Sequence, residues 1–198
     1  MNKITSSMLG LAAACLLLTP SAHALTLSSV SDQGNVLDTA FTTASQISAD
    51  VSFVNRQAVS LTFTLDNADA GGSAFLNAIL RDVAGGSLDR IALSLSGGAS
   101  FLPEGTVTVI NSTTPVPVSF SAGNTRADVA LPSVTEVYVG SPLLDAGTQD
   151  WRVSLGTMSA GDSFTVTLSP VPEPASWHLA AACLLAFTTL AAARKHRK

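Results

Sequence analysis

Between Leu25 and Val171 apolar residues recur at every second position, with small hydroxylated residues between them. Val59, Leu61, Phe63 and Leu65 alternate with Ser60, Thr62 and Thr64, and Phe164, Val166 and Leu168 alternate with Ser163, Thr165, Thr167 and Ser169. Ile91, Leu93 and Leu95 repeat the pattern. A helix would scatter such residues around its circumference, whereas a strand sorts them onto one apolar and one polar face. Shorter runs of the same kind occupy Ala49–Val54, Val107–Ile110, Val116–Ser121, Ala127–Leu131, Val134–Val139 and Trp151–Leu155. Turn clusters such as Gly71-Gly72, Gly85-Gly86, Gly97-Gly98 and Ala122-Gly123-Asn124 separate them. About nine or ten strands with hydroxyl-bearing outer faces predict an all-β, two-layer antiparallel β-sandwich, jelly-roll or immunoglobulin-like.

One segment breaks the period. Phe75, Leu76, Ile79, Leu80 and Val83 follow the spacing i, i+1, i+4, i+5, i+8, which gathers them on one helical face. With Ser73 as a cap and Gly85 as a stop, the spacing predicts a short helix over 73–84. The strand alternative would put Asn77 and Arg81 on the same face as Phe75 and Ile79.

The composition of this stretch excludes much chemistry. Cys15 and Cys183 lie outside it, as do His23, His178 and His196 and every lysine. Disulfides, imidazole- or thiolate-dependent metal sites, Ser-His-Asp and Cys-His catalysis, and Schiff-base chemistry are therefore not expected within 25–171. Five arginines face thirteen carboxylates there, a net charge of −8, which opposes binding to nucleic acid or to anionic lipid.

The two ends differ from the middle. Met1-Asn2-Lys3, the apolar stretch Met8 to Leu18, Pro20 and the small residues Ala22 and Ala24 around His23 have the form of a signal peptide over 1–24, with the mature chain beginning at Leu25. After Val171 come Pro172-Glu173-Pro174, an uncharged apolar run from Ala175 to Ala193, and Arg194-Lys195-His196-Arg197-Lys198. At about 1.5 Å per residue that run would span roughly 28 Å, so a single transmembrane helix over 175–193 is expected, with the basic tail 194–198 held in the cytoplasm.

The ordered set of signal peptide, Pro-Glu-Pro triplet, span and terminal basic cluster resembles the PEP-CTERM sorting signal of Gram-negative bacteria. The resemblance covers 171–198. It implies recognition by exosortase near Pro172, Glu173 and Pro174, with Arg194, Lys195, Arg197 and Lys198 completing the signal. It implies as partners exosortase, signal peptidase and the inner membrane for the precursor, with the mature 25–170 domain passing from periplasm to cell surface or medium. It also implies a role linked to exopolysaccharide, biofilm or extracellular matrix. The alternatives are a carbohydrate-binding or calcium-dependent adhesion module and a simple single-pass anchored periplasmic domain.

Three further constellations merit attention. Asp66, Asn67 and Asp69, in a glycine-rich stretch, are candidate calcium ligands, although the spacing is not that of an EF-hand and a turn explains the same residues. Glu104 and Glu136 are candidates for a glycoside-cleaving carboxylate pair, but Glu104 sits in a turn-like Pro-Glu-Gly, and histidine, the commonest general acid–base residue, is missing. Trp151 and Tyr138 are candidates for a carbohydrate-binding patch. The expectation is a non-enzymatic domain with no cofactor other than calcium, if any.

Overall fold

The computed structural model describes residues 25–66 and 70–171, and the alternating segments emerge there as strands. The strands are β1 (Thr26–Ser31), β2 (Val36–Asp38), β3 (Gln46–Phe53), β4 (Val59–Thr64), β5 (Ser73–Asp82), β6 (Leu88–Ser96) and β7 (Ser100–Leu102). They continue as β8 (Val107–Val109), β9 (Val118–Phe120), β10 (Arg126–Val134), β11 (Glu136–Val139), β12 (Trp151–Ser154) and β13 (Ser163–Pro170). Among the described residues the only helical element is a 3₁₀ turn at Ala122–Asn124.

The strands form two sheets. The first runs β1-β4-β13-β6-β10-β9; the second runs β2-β3-β5-β11-β8, with β12 joining β5 to β7. In β4 and β13 the period of two does what the sequence requires: Val59, Leu61, Phe63, Phe164, Val166 and Leu168 are buried. The rings of Phe63 and Phe164 stack with centroids 5.5 Å apart. On the opposite face Ser60 meets Thr167, Thr62 meets Thr165 and Thr64 meets Ser163, each hydroxyl pair at 2.9 Å. Such cross-strand pairs fix the register, because a slip of one residue would turn every apolar side chain to solvent.

The sheets share one core. Phe101 on β7 and Trp151 on β12 come from the second sheet and Phe120 on β9 from the first; their centroids lie 5.3 to 6.2 Å apart. The indole nitrogen of Trp151 donates to the Thr106 carbonyl at 2.9 Å, so its one polar atom is satisfied inside.

The segment 73–84 corrects the sequence reading, since 73–82 is strand and not helix. Ala74, Leu76, Ala78, Leu80 and Asp82 turn inward, while Phe75 and Ile79 share the outer face with Asn77 and Arg81. Neighbouring strands make this arrangement favourable. β5 pairs with β3 on one side and with β12 and then β11 on the other. Arg81 there finds Asp50 and Glu136, and Asn77 finds Asp150. Cross-strand partners thus compensate the polar residues that made a strand look costly.

Two more expectations change. The β3–β5 pair is parallel, because the chain leaves the second sheet after β3, forms β4 in the first, and returns. The architecture is therefore two-sheet and mostly β, but not wholly antiparallel. The transmembrane helix expected over 175–193 lies outside the described residues, and among the described residues no helix is long and apolar enough to cross a membrane. Apolar residues there are spent on strands of at most ten residues that bury one face. A transmembrane helix is accordingly no part of the fold of the described residues, and the inner-membrane precursor with a cytoplasmic tail, which was expected on the strength of that helix, loses its support.

Candidate functional site

The outer face of the second sheet carries the polar residues that β3, β5 and β11 cannot bury. Register places Gln46 beside Phe75, Ser48 beside Asn77 and Asp50 beside Ile79, and then Glu136 beside Arg81 and Tyr138 beside Ile79. The segment 141–144 and Phe41, from the β2–β3 connection, border this face. Between them is a groove of about 440 Å³ lined by Gln46, Ser48, Asp50, Asn77 and Ile79, with Phe41, Ser141, Pro142, Leu143 and Leu144 at its sides.

Asp150 organises one end. Its Oδ1 accepts the Ser141 backbone N–H at 2.7 Å, its Oδ2 accepts from Gln46 Nε2 at 3.2 Å, and Asn77 Nδ2 approaches both oxygens at 3.3 and 3.4 Å. The oxygen of that amide, Asn77 Oδ1, is buried and finds no hydrogen-bond partner among the described residues. A buried acceptor left unpaired costs about 1–3 kcal/mol; Arg152 Nε, farther along the same face, is the other buried side-chain polar atom without a partner among the described residues.

Arg81 organises the other end. Its Nη1 pairs with Asp50, and its Nε donates to Glu136 at 2.8 Å. The hydrogen bond to Asp50, ahead of that to Glu136, outweighs partial burial and raises the guanidinium above its ordinary range. Tyr138 donates its hydroxyl to Glu136, and that bond, aided by burial, pushes its pKa up to about 12.

The rim is apolar and exposed. Phe41 is 77% and Leu144 87% exposed, and Leu143 beside them is exposed as well. Leu144 holds a left-handed backbone with φ of 57°, in a turn closed by its N–H to the Ser141 carbonyl at 3.1 Å. Left-handed backbone at a bulky residue is disfavoured, and such strain concentrates in functional loops.

The sequence candidates are placed differently. Tyr138 lies on the outer face next to Ile79, beside the groove. Trp151 does not join it: paired with Leu76, it points into the core at 1% exposure and offers no platform. Glu104 pairs with Arg152 at 3.5 Å and Glu136 with Arg81, so the two are not brought to a common site. Asp66 is described, but Asn67 and Asp69 lie outside the described residues, and among the described residues no three His, Cys, Asp or Glu side chains cluster to hold a metal ion. Ala22, Ala24, Pro172, Glu173, Pro174, Arg194, Lys195, Arg197 and Lys198 likewise lie outside the described residues.

Phe41, Gln46, Asn77, Leu144 and Asp150 escaped the sequence reading. Asn77 was visible only as an awkward residue in the 73–84 segment. Comparison with known proteins gives no matching family model, no matching curated protein and no matching solved structure.

Proposed function

We propose that this β-domain is a non-catalytic, polysaccharide-associated component of an extracellular matrix that works by binding and not by turnover. The observation that carries the reading is the groove on the second sheet, where exposed apolar side chains border a floor of amide, hydroxyl and carboxylate groups. That division suits a sugar chain, which has C–H faces for the apolar rim and hydroxyls for the polar floor. Glu104 and Glu136, the carboxylates considered for catalysis, are occupied by Arg152 and Arg81. The resemblance of Pro172-Glu173-Pro174 and the terminal basic cluster to a PEP-CTERM signal supports the same role, with exosortase as the processing partner.

The test is to incubate the full-length protein with exopolysaccharide from the producing organism. Co-sedimentation with unchanged polysaccharide chain length supports the reading. Shortened chains would overturn its non-catalytic part, and failure to co-sediment would overturn the association itself.

A further inference from the structure

We propose that the groove selects neutral oligosaccharide segments and rejects acidic ones. The proposal rests on the polysaccharide-associated reading and adds to it a site and a sign of charge. The volume of about 440 Å³ lies within the roughly 300–1,000 Å³ typical of small-molecule sites. Phe41, held 77% exposed at the rim, supplies a flat apolar surface for the C–H face of a pyranose ring.

The floor matches the edge of such a ring. Gln46, Asn77, Ser48 and Ser141 line the groove with groups of both hydrogen-bonding senses, while Asp50 and the neighbouring Asp150 add carboxylates that only accept. Asn77 is 3% exposed and its Oδ1 is unpartnered, so it lacks a donor that a sugar hydroxyl would provide.

Charge decides which sugars. Asp50, Glu136 and Asp150 contribute three negative charges around the groove, while Arg81 is already shared between Asp50 and Glu136 and Arg152, beside Phe75 on the same face, is paired with Glu104. A uronate or sulfate entering there meets net negative charge, whereas a neutral hydroxyl meets acceptors ready for it.

Calorimetry on the full-length protein tests this with three probes: cellohexaose, maltohexaose and hexagalacturonate. At least one neutral hexasaccharide is expected to bind about tenfold or more tightly than hexagalacturonate. Phe41→Ala, a change at an exposed side chain, should weaken that binding about tenfold with an unaltered Tm. Asp50→Asn leaves Arg81 partly free and should raise hexagalacturonate affinity at least about threefold.

If neither neutral probe binds, or hexagalacturonate binds as tightly, the proposal falls. If Phe41→Ala binds like the wild type and still co-sediments with exopolysaccharide, the groove is not the site while the broader reading stands. Loss of co-sedimentation by the wild type as well would overturn both. A Phe41-dependent doubling of mass in ultracentrifugation, without sugar binding, would make this face a protein-docking surface instead.

Discussion

Arg56 Nη2 donates to Asp82 Oδ2 at 2.6 Å, and the Asp82 side chain is fully buried at the end of β5. The same nitrogen reaches the Ser87 carbonyl at 3.1 Å, and Asp82 Oδ1 accepts the Ala84 N–H at 2.8 Å. This cluster ties the β3–β4 connection to the β5–β6 turn. It also explains Gly86, because a Cβ there would sit 1.9 Å from Arg56 Nη2.

Arg56→Met keeps much of the aliphatic stem and removes the charge, leaving a buried carboxylate without its cation. A loss of about 2–3 kcal/mol is expected in urea denaturation. A loss under about 0.5 kcal/mol would show that Asp82 is adequately solvated by its backbone donors alone.

Tyr138 is the chain's one tyrosine, so tyrosinate absorbance reports on a single hydroxyl. Its bond to Glu136 places the folded pKa at about 12, against about 10 when unfolded. A raised pKa means stability present in full below pH 10 and lost as pH rises through 12. A rapid pH-jump titration should therefore show ionisation near 12 in the wild type and at lower pH in Glu136→Gln. A wild-type midpoint near 10 would contradict the hydrogen bond.

Asp128 lies between Arg126, which donates to it at 2.9 Å through both Nε and Nη2, and Arg90 at 3.3 Å. The hydrogen bonds from Arg126, foremost among the causes, lower its pKa below the ordinary carboxylate range. A lowered pKa contributes stability that is present above about pH 4 and disappears as acid protonates the group. Arg126 is half exposed, so Arg126→Ala should cost no more than about 1 kcal/mol at pH 6, and the gap from wild type should close toward pH 2. A gap independent of pH would assign the effect to packing.

Gly105 has a φ of 110°, and a Cβ built there would meet Trp151 Cδ1 at 2.3 Å and its Cα at 2.8 Å. Gly105→Ala should destabilise by about 3 kcal/mol, combining backbone strain with displacement of a packed indole. Near-ultraviolet circular dichroism should change with it. An unchanged Trp151 signal and midpoint would mean the β7–β8 loop yields freely.

The strands were legible wherever one face is buried and the other carries hydroxyls, as in β4, β6 and β13. Alternation there is a local property, and nothing distant competes with it. β5 was misread because its outer face carries Phe75 and Ile79 as well as Asn77 and Arg81, and only the partners on β3, β11 and the Asp150 loop make that mixture stable. β1, with most of its side chains exposed, and the three-residue β2 and β7 had too little pattern to register. The site was less legible still. Trp151 attracted attention as a rare aromatic and proved to be core, while the groove depends on Gln46, Asn77 and Asp150, three residues joined by hydrogen bonds across more than seventy positions of chain.

The path from β3 into the first sheet as β4 and back as β5 acts as a stitch. Neither sheet can assemble from a continuous half of the chain, since β6 returns to the first sheet, β7 and β8 to the second, and β13 closes the first between β4 and β6. The domain cannot be halved into fragments that keep one layer each, and the loss of β13 would open a gap in one sheet while uncovering the other. Unfolding should accordingly be all-or-none and folding slow, because the pairings that matter await segments made late in the chain.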